Sequence, residues 1–191
     1  MDEQPAAITR AERSRVAILQ AAFELFAELS YDGVTVERIA ARARVGKPTI
    51  YRRWPSKGAV VLDAFIEHTA PPVFQETGDP HQDVRAWMHA IADFLADPAK
   101  GPLTAALVGA AQHDPELAAA WRDRMYQPIR TVSVDRLKAA QAAGLWPETD
   151  TDVLADLLAG PIWFKLLVGG EPPTTEFVDS LLAAVLPNRA R

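Results

Sequence analysis

Residues 38–57 read RIAARARVGKPTIYRRWPSK, twenty positions holding seven Lys or Arg and no Asp or Glu. The chain around them is acidic, since its 191 residues carry a formal net charge of -5. Cations crowded in this way repel one another and destabilise the compact state, so such a cluster belongs where a polyanion meets it. Dividing the chain after Gly58 sharpens the contrast. Residues 1–58 hold 10 basic and 7 acidic side chains, a net +3, whereas residues 59–191 hold 10 and 18, a net -8. That asymmetry is the pattern of a nucleic-acid-binding head on an acidic body.

The remaining composition excludes several classes. There is no cysteine, hence no disulfide framework and no Cys-based metal site. The first ten residues, MDEQPAAITR, contain no apolar signal core, and no run of 18 apolar residues occurs. The longest apolar stretch, Leu157–Val168, is interrupted by Gly160, Pro161 and Lys165. A cytoplasmic protein without membrane association is the expectation.

Period-2 alternation is absent and helical spacing runs throughout, so the expected fold is all-α with about nine helices. Residues 1–9 are expected to be a flexible tail. The first helix is placed at 10–29, buried on most sides, with Val16, Leu19, Phe23 and Phe26 along one face and Asp32-Gly33 as the turn after it. Thr35 is a good N-cap for a second helix reaching Ala43, and Val34 and Ile39 are spaced as a hydrophobic staple. A turn at Arg44-Val45-Gly46 leads to a third helix, Lys47–Arg53, in whose first turn Pro48 is tolerated. Trp54-Pro55 ends it, and Ser56 caps a fourth helix running toward Pro71-Pro72. Downstream the expectation is helices at 81–96, 103–112, Asp114–Ala143 with a kink at Pro128, 151–168 and 175–186, with a break from Asp97 through Pro102.

The spacing from Thr35 to Arg53 fits a helix-turn-helix, in which a short helix and a tight turn present a second helix to the DNA major groove. Ile39, Ala40, Val45 and Ile50 fall where they join the two helices. Arg38, Arg42, Lys47, Thr49, Tyr51, Arg52 and Arg53 are left to project. The stretch Gly33-Val34-Thr35, Ile39-Ala40, Val45, Lys47-x-Thr49-Ile50-Tyr51, Trp54 and Ser56-Lys57 resembles the TetR family of tetracycline-repressor-like transcription factors. The resemblance implies an N-terminal three-helix DNA-binding head over 10–57. It also implies a larger C-terminal ligand-binding and dimerisation domain over 58–191, whose last two helices pair with a second subunit. By the same resemblance Lys47, Pro48, Thr49 and Tyr51 lie on the recognition helix, Thr35, Tyr51 and Lys57 meet phosphate, and Arg52 and Arg53 contact bases or backbone. Arg and Lys can read guanine O6/N7, and a Thr methyl can meet a thymine methyl. The chain departs from the family pattern in having Arg44 where the turn usually has Gly, Gly46 where a capping Ser is usual, and Pro48 where Gly is frequent. If position 44 keeps the positive φ of that glycine, Arg there costs about 1 kcal/mol or more; the alternative is a turn adjusted so that Arg44 faces a phosphate.

The aromatic and Met residues of the C-terminal part fall on the helices that the resemblance assigns to an effector cavity. Trp87, Ile91, Phe94, Trp121, Met125 and Trp163 are the candidate ligand contacts, and an apolar or aromatic small molecule is the matching ligand. His89 and Asp93 are four apart on one face, a spacing that reads as an ordinary surface pair rather than a metal site. No metal and no cofactor are expected. No G-x-S-x-G, P-loop, G-x-G-x-x-G or H-E-x-x-H occurs, and nothing argues for an enzyme. Leu154, Leu157, Leu158, Ile162, Leu166 and Leu167 on one terminal helix, with Phe177, Val178, Leu181, Leu182 and Val185 on the other, are the expected homodimer seam, and Gly160 would admit a partner helix closely. These features and the resemblance lead to the expectation of a DNA-binding regulator, a repressor by family habit, that grips a palindromic operator as a homodimer and is released by a small effector. The alternatives are a DNA-binding dimer with no effector, and a small-molecule carrier or enzyme.

Overall fold

The computed structural model describes residues 9–144, 146 and 149–185. Of the expected tail, residues 1–8 lie outside the described residues. Thr9 is the N-cap of the first helix, its hydroxyl accepting from the Glu12 amide at 3.2 Å. Among the described residues the secondary structure is all α, with no strand.

The chain forms two compact units. One comprises the described residues up to Ala70 together with Ala106–Ala120; the other comprises Pro71–Ala105 and the described residues from Trp121 onward. This division differs from a boundary at 57/58. The fourth helix, α4 (Lys57–Thr69), packs along the first, α1 (Arg10–Gly33), and buries Val60, Val61, Leu62 and Phe65 completely. Burial of that much apolar surface ties α4 to the head.

In the first unit, α1 packs on α2 (Val36–Ala43) and α4, and α3 (Lys47–Tyr51) packs on α2. Ile18, Leu19, Ala22, Leu25 and Phe26 form the buried stripe of α1. Val16, expected on that stripe, is 50% exposed, because α1 is covered on one side rather than on most sides. The helix also does not stop at residue 29. It kinks at Ser30 (φ 57°) and takes one further turn to Gly33, which buries Tyr31. The Tyr31 hydroxyl donates to Asp114, whose other carboxylate oxygen caps α7 (Pro115–Trp121) by accepting from Glu116 and Leu117 amides, both at 3.0 Å. Gly58 makes that docking possible, since a Cβ there would lie 2.8 Å from Leu117 Cα.

In the second unit, α5 (Pro80–Ala96), α8 (Gln127–Ala142), α9 (Thr151–Phe164) and α10 (Thr175–Val185) share a core. Val84, Met88 and Leu95 meet Val134 and Leu137, Leu154, Leu158 and Ile162, and Val178 and Leu182 in it. α6 (Lys100–Ala111) begins earlier than expected, taking Gly101 and Pro102 into its first turn, where a missing amide costs nothing. Gly101 is required there: a Cβ would fall 2.1 Å from the Leu95 carbonyl oxygen.

Before Pro128 a π-helical turn, Arg122–Tyr126, joins α7 to α8, with the Gln127 amide donating to the Arg122 carbonyl. The wider turn accommodates a proline that supplies no amide to the carbonyl four residues earlier and would clash with it. A second π-helical turn, Lys165–Gly169, extends α9. Counting α7 through α8 and α9 through Gly169 as single rods gives nine helices among the described residues.

The expected seam on α9 divides in two. Leu154, Leu158 and Ile162 are buried in the unit's own core, whereas Leu157 is half exposed, along with Val153, Phe164, Leu167 and Val168. No helix among the described residues is long and apolar enough to cross a membrane.

Candidate nucleic-acid interface

The helix-turn-helix is assembled by local caps and one buried seam. The Thr35 hydroxyl accepts from the Arg38 amide at 3.2 Å and starts α2, while Val34 and Ile39 are both buried as the staple requires. α2 ends with Arg44 in the left-handed region, φ 55° and ψ 45°. The Arg44 amide donates to the Ala41 carbonyl at 3.3 Å and the Val45 amide to the Ala40 carbonyl at 3.0 Å. This pair of bonds is a Schellman motif, whose left-handed position normally holds glycine. The turn is therefore not adjusted around Arg44. Arg44 adopts the glycine's conformation, at a cost of about 1 kcal/mol.

Gly46 precedes α3 with no side-chain cap, Pro48 occupies the first turn, and fully buried Ile50 anchors the helix. α3 ends at Tyr51, so Arg52 and Arg53 lie in the turn that follows rather than on the helix. Trp54 is not a surface aromatic. It is 4% exposed, with its indole N–H donating to Asp63 at 2.6 Å. Ser56 then caps α4 by accepting from the Ala59 amide at 3.1 Å.

This scaffold leaves Thr35, Arg44, Lys47, Pro48, Tyr51, Arg52 and Arg53 exposed, and Thr49 and Lys57 partly so. Their cations are not equally available. The Lys47 ammonium pairs with Glu37 at 3.0 Å, an interaction that raises the lysine's pKa and lowers the carboxyl's. Lys57 sits 3.9 Å above the Tyr31 ring and donates to the Tyr31 carbonyl at 3.3 Å. Arg38 donates to the Gly33 carbonyl, and Arg42 is gripped by both carboxylate oxygens of Glu28, at 2.7 and 2.8 Å. Neither Arg38 nor Arg42 projects freely, contrary to the sequence expectation, because carbonyl and carboxylate acceptors from the end of α1 lie beside α2.

Beside this surface lies an open groove of about 850 Å³, lined by Arg44, Gly46, Thr49 and Arg52 and, from α1, by Arg10, Arg13 and Ser14. The sequence alone gives Arg10 and Arg13 no role beyond a place on the first helix. Their signal there is faint: two cations three apart, with the intervening Glu12 paired to Arg15.

The candidate effector contacts all lie in the second unit. Trp87, Ile91 and Phe94 share a face of α5; Trp87 is buried with its ring 5.6 Å from that of Phe74, and Ile91 and Phe94 pack on the core. Half-buried Trp121 closes α7, half-buried Met125 lies within the first π-helical turn, and half-buried Trp163 is on α9. His89 does not pair with Asp93. Its Nε2 lies 2.7 Å from Asp179 of α10, which also holds Arg85.

Comparison with known proteins gives two family matches. Residues 18–64 match the model of bacterial regulatory proteins of the tetR family, and residues 74–185 match the tetracyclin repressor-like C-terminal domain. The chain is 38% identical over 176 residues to the HTH-type transcriptional regulator YdeS of Bacillus subtilis (strain 168), covering 91% of this chain and 88% of that one. It is 27% identical over 183 residues to the DNA-binding transcriptional repressor TetR of Mycobacteroides abscessus, covering 94% and 95%. Among solved structures, the TetR family transcription regulator SCO0332 superposes with a TM-score of 0.72 at 34% identity, covering 94% of this chain and 100% of that one.

Proposed function

The chain belongs to the TetR family of DNA-binding helix-turn-helix transcriptional regulators, and from that premise we propose that it binds a palindromic operator as a homodimer, represses the genes beside it, and is released by a small apolar or aromatic ligand. The observation that carries the reading is the surface formed by Lys47, Thr49 and Tyr51 on a short helix whose inner side is the buried Ile50, continued by Arg52 and Arg53 in the turn that follows. A helix so mounted fits the major groove, with Thr35 and Lys57 at helix starts facing phosphate.

Two-fold pairing is supported by the apolar stripe Val153, Leu157, Phe164 and Val168 on α9, with open space around Gly160. Exposed apolar side chains in a continuous row mark an association surface. A self-complementary pair of such helices generates a closed dimer, and with it two recognition helices for two half-sites. The repressor role is carried over from the similar repressor named above. Trp87, Ile91, Phe94, Trp121, Met125 and Trp163 are proposed to meet the effector. Its neighbourhood includes a π-helical turn, a feature frequent at functional sites. Release requires that the effector bind better to the conformation in which the two heads are wrongly spaced.

Gel shift on the DNA upstream of the gene tests the reading. Wild-type protein retards that DNA at low salt, and the Tyr51→Ala, Lys57→Ala double variant does so at least tenfold more weakly. Equally poor binding by both proteins ends the regulator reading.

A further inference from the structure

The cations of the head fall into two sets. Arg15 is held by Glu12 and Glu67, Arg42 by Glu28, Lys47 by Glu37, Arg38 by the Gly33 carbonyl, and Lys57 by Tyr31. Arg53 reaches the Ala11 carbonyl at 3.5 Å. The guanidinium groups of Arg10, Arg13, Arg44 and Arg52 make no hydrogen bond or ion pair among the described residues, and these four side chains line the same groove.

No carboxylate lines that groove. Glu12, the nearest acid in sequence to Arg10 and Arg13, is drawn off by Arg15 at 2.7 Å. Four unpaired guanidiniums converging on one concavity repel one another, and the arrangement is stabilised when an anion enters. Between them the wall is made of small residues such as Ser14 and Gly46, which leave room for a phosphodiester to approach. Thr49 of the recognition helix lines the same groove, so a DNA strand seated on that helix continues into it.

We infer that the groove between the start of α1 and the turn before α3 is a binding site for the DNA phosphate backbone, in which Arg10 and Arg13 extend the operator contact beyond the helix-turn-helix. The inference rests on the regulator reading and adds to it a set of contacts outside the motif. Backbone contacts position the protein without reading bases. Arg10 and Arg13 therefore supply affinity and salt dependence, and leave sequence preference to α3.

The test is fluorescence anisotropy of a labelled upstream duplex across a salt series, with full-length wild type and the Arg10→Ala, Arg13→Ala double variant. Each phosphate contact contributes about 0.9 to the slope of log affinity against log salt. The double variant is expected to lower that slope by about 1.8, to weaken operator and scrambled DNA by the same factor, and to keep the wild-type melting temperature, since both side chains are exposed. The Arg10→Lys, Arg13→Lys variant keeps most of the slope. An unchanged slope in the alanine variant overturns the proposal, while Tyr51→Ala still weakening the complex leaves the regulator reading standing. An unchanged slope with loss of inorganic pyrophosphate binding also overturns it, assigning the groove to a free phosphate ester. If wild type binds no DNA at all, both readings fall together.

Discussion

At the scale of single residues, Arg44 shows function set against stability. Its backbone is held at φ 55°, where the Cβ crowds the neighbouring carbonyl, yet the side chain lines the basic groove. Arg44→Gly is expected to raise stability in urea by about 0.5 kcal/mol, strain relief being partly offset by the unfolded glycine's entropy, while weakening DNA binding. Unchanged or lower stability would show that the guanidinium stabilises the free head. Asp83 is a second case. It is 4% exposed and accepts from the Thr77 hydroxyl and amide, and the hydroxyl bond above all holds its carboxyl below the usual range. An unfolded Asp titrates near ~3.9, so this stabilisation is complete above that pH and is lost as pH falls through the lower folded value. The melting-temperature gap between wild type and Asp83→Asn should therefore narrow on going from about pH 6 to about pH 3. A gap that widens with acid contradicts this. The strained position of Arg44 was legible, because it follows from a turn whose glycine is missing. The capture of Arg42 by Glu28 was not, since 14 positions and a kink at Ser30 separate them.

At the scale of elements, glycines decide where helices approach. Gly58→Ala would press a methyl against the backbone of α7 at Leu117 and is expected to cost about 1–3 kcal/mol. Gly109, inside α6, has open space where a Cβ would stand, with nothing within 4 Å. It should behave oppositely, and Gly109→Ala should stabilise by about 0.5–1 kcal/mol. Thermal unfolding of the two variants checks both signs; the same sign in both would refute the packing account. Caps were the most legible features, because Thr35, Ser56 and Asp114 act through amides two or three residues away. The π-helical turn before Pro128 was not legible. Proline reports that the regular hydrogen bond is lost but not whether the helix bends or widens in response.

At the scale of the whole molecule, the proposed regulator needs two heads, and pairing is assigned to the exposed stripe of α9. Leu157→Glu places a charge in that stripe and is expected to give a monomer by sedimentation while far-ultraviolet circular dichroism stays helical. Operator affinity should fall at least tenfold with it. A variant that remains dimeric moves the interface elsewhere. The apolar character of α9 is legible in the sequence but not which leucines face outward, since both sides of this helix are apolar and only packing against α8 and α10 separates Leu154 and Leu158 from Leu157. The DNA-binding head was far more legible, because its fixed spacing and its acid-free charge coincide. Hydroxyl-radical footprinting on the upstream DNA tests the central claim most directly. Two protected patches about one helical turn (~34–36 Å) apart, related by an inverted repeat and lost together in the Tyr51→Ala, Lys57→Ala variant, are the predicted result. Protection that is absent, or that survives in that variant, would contradict it.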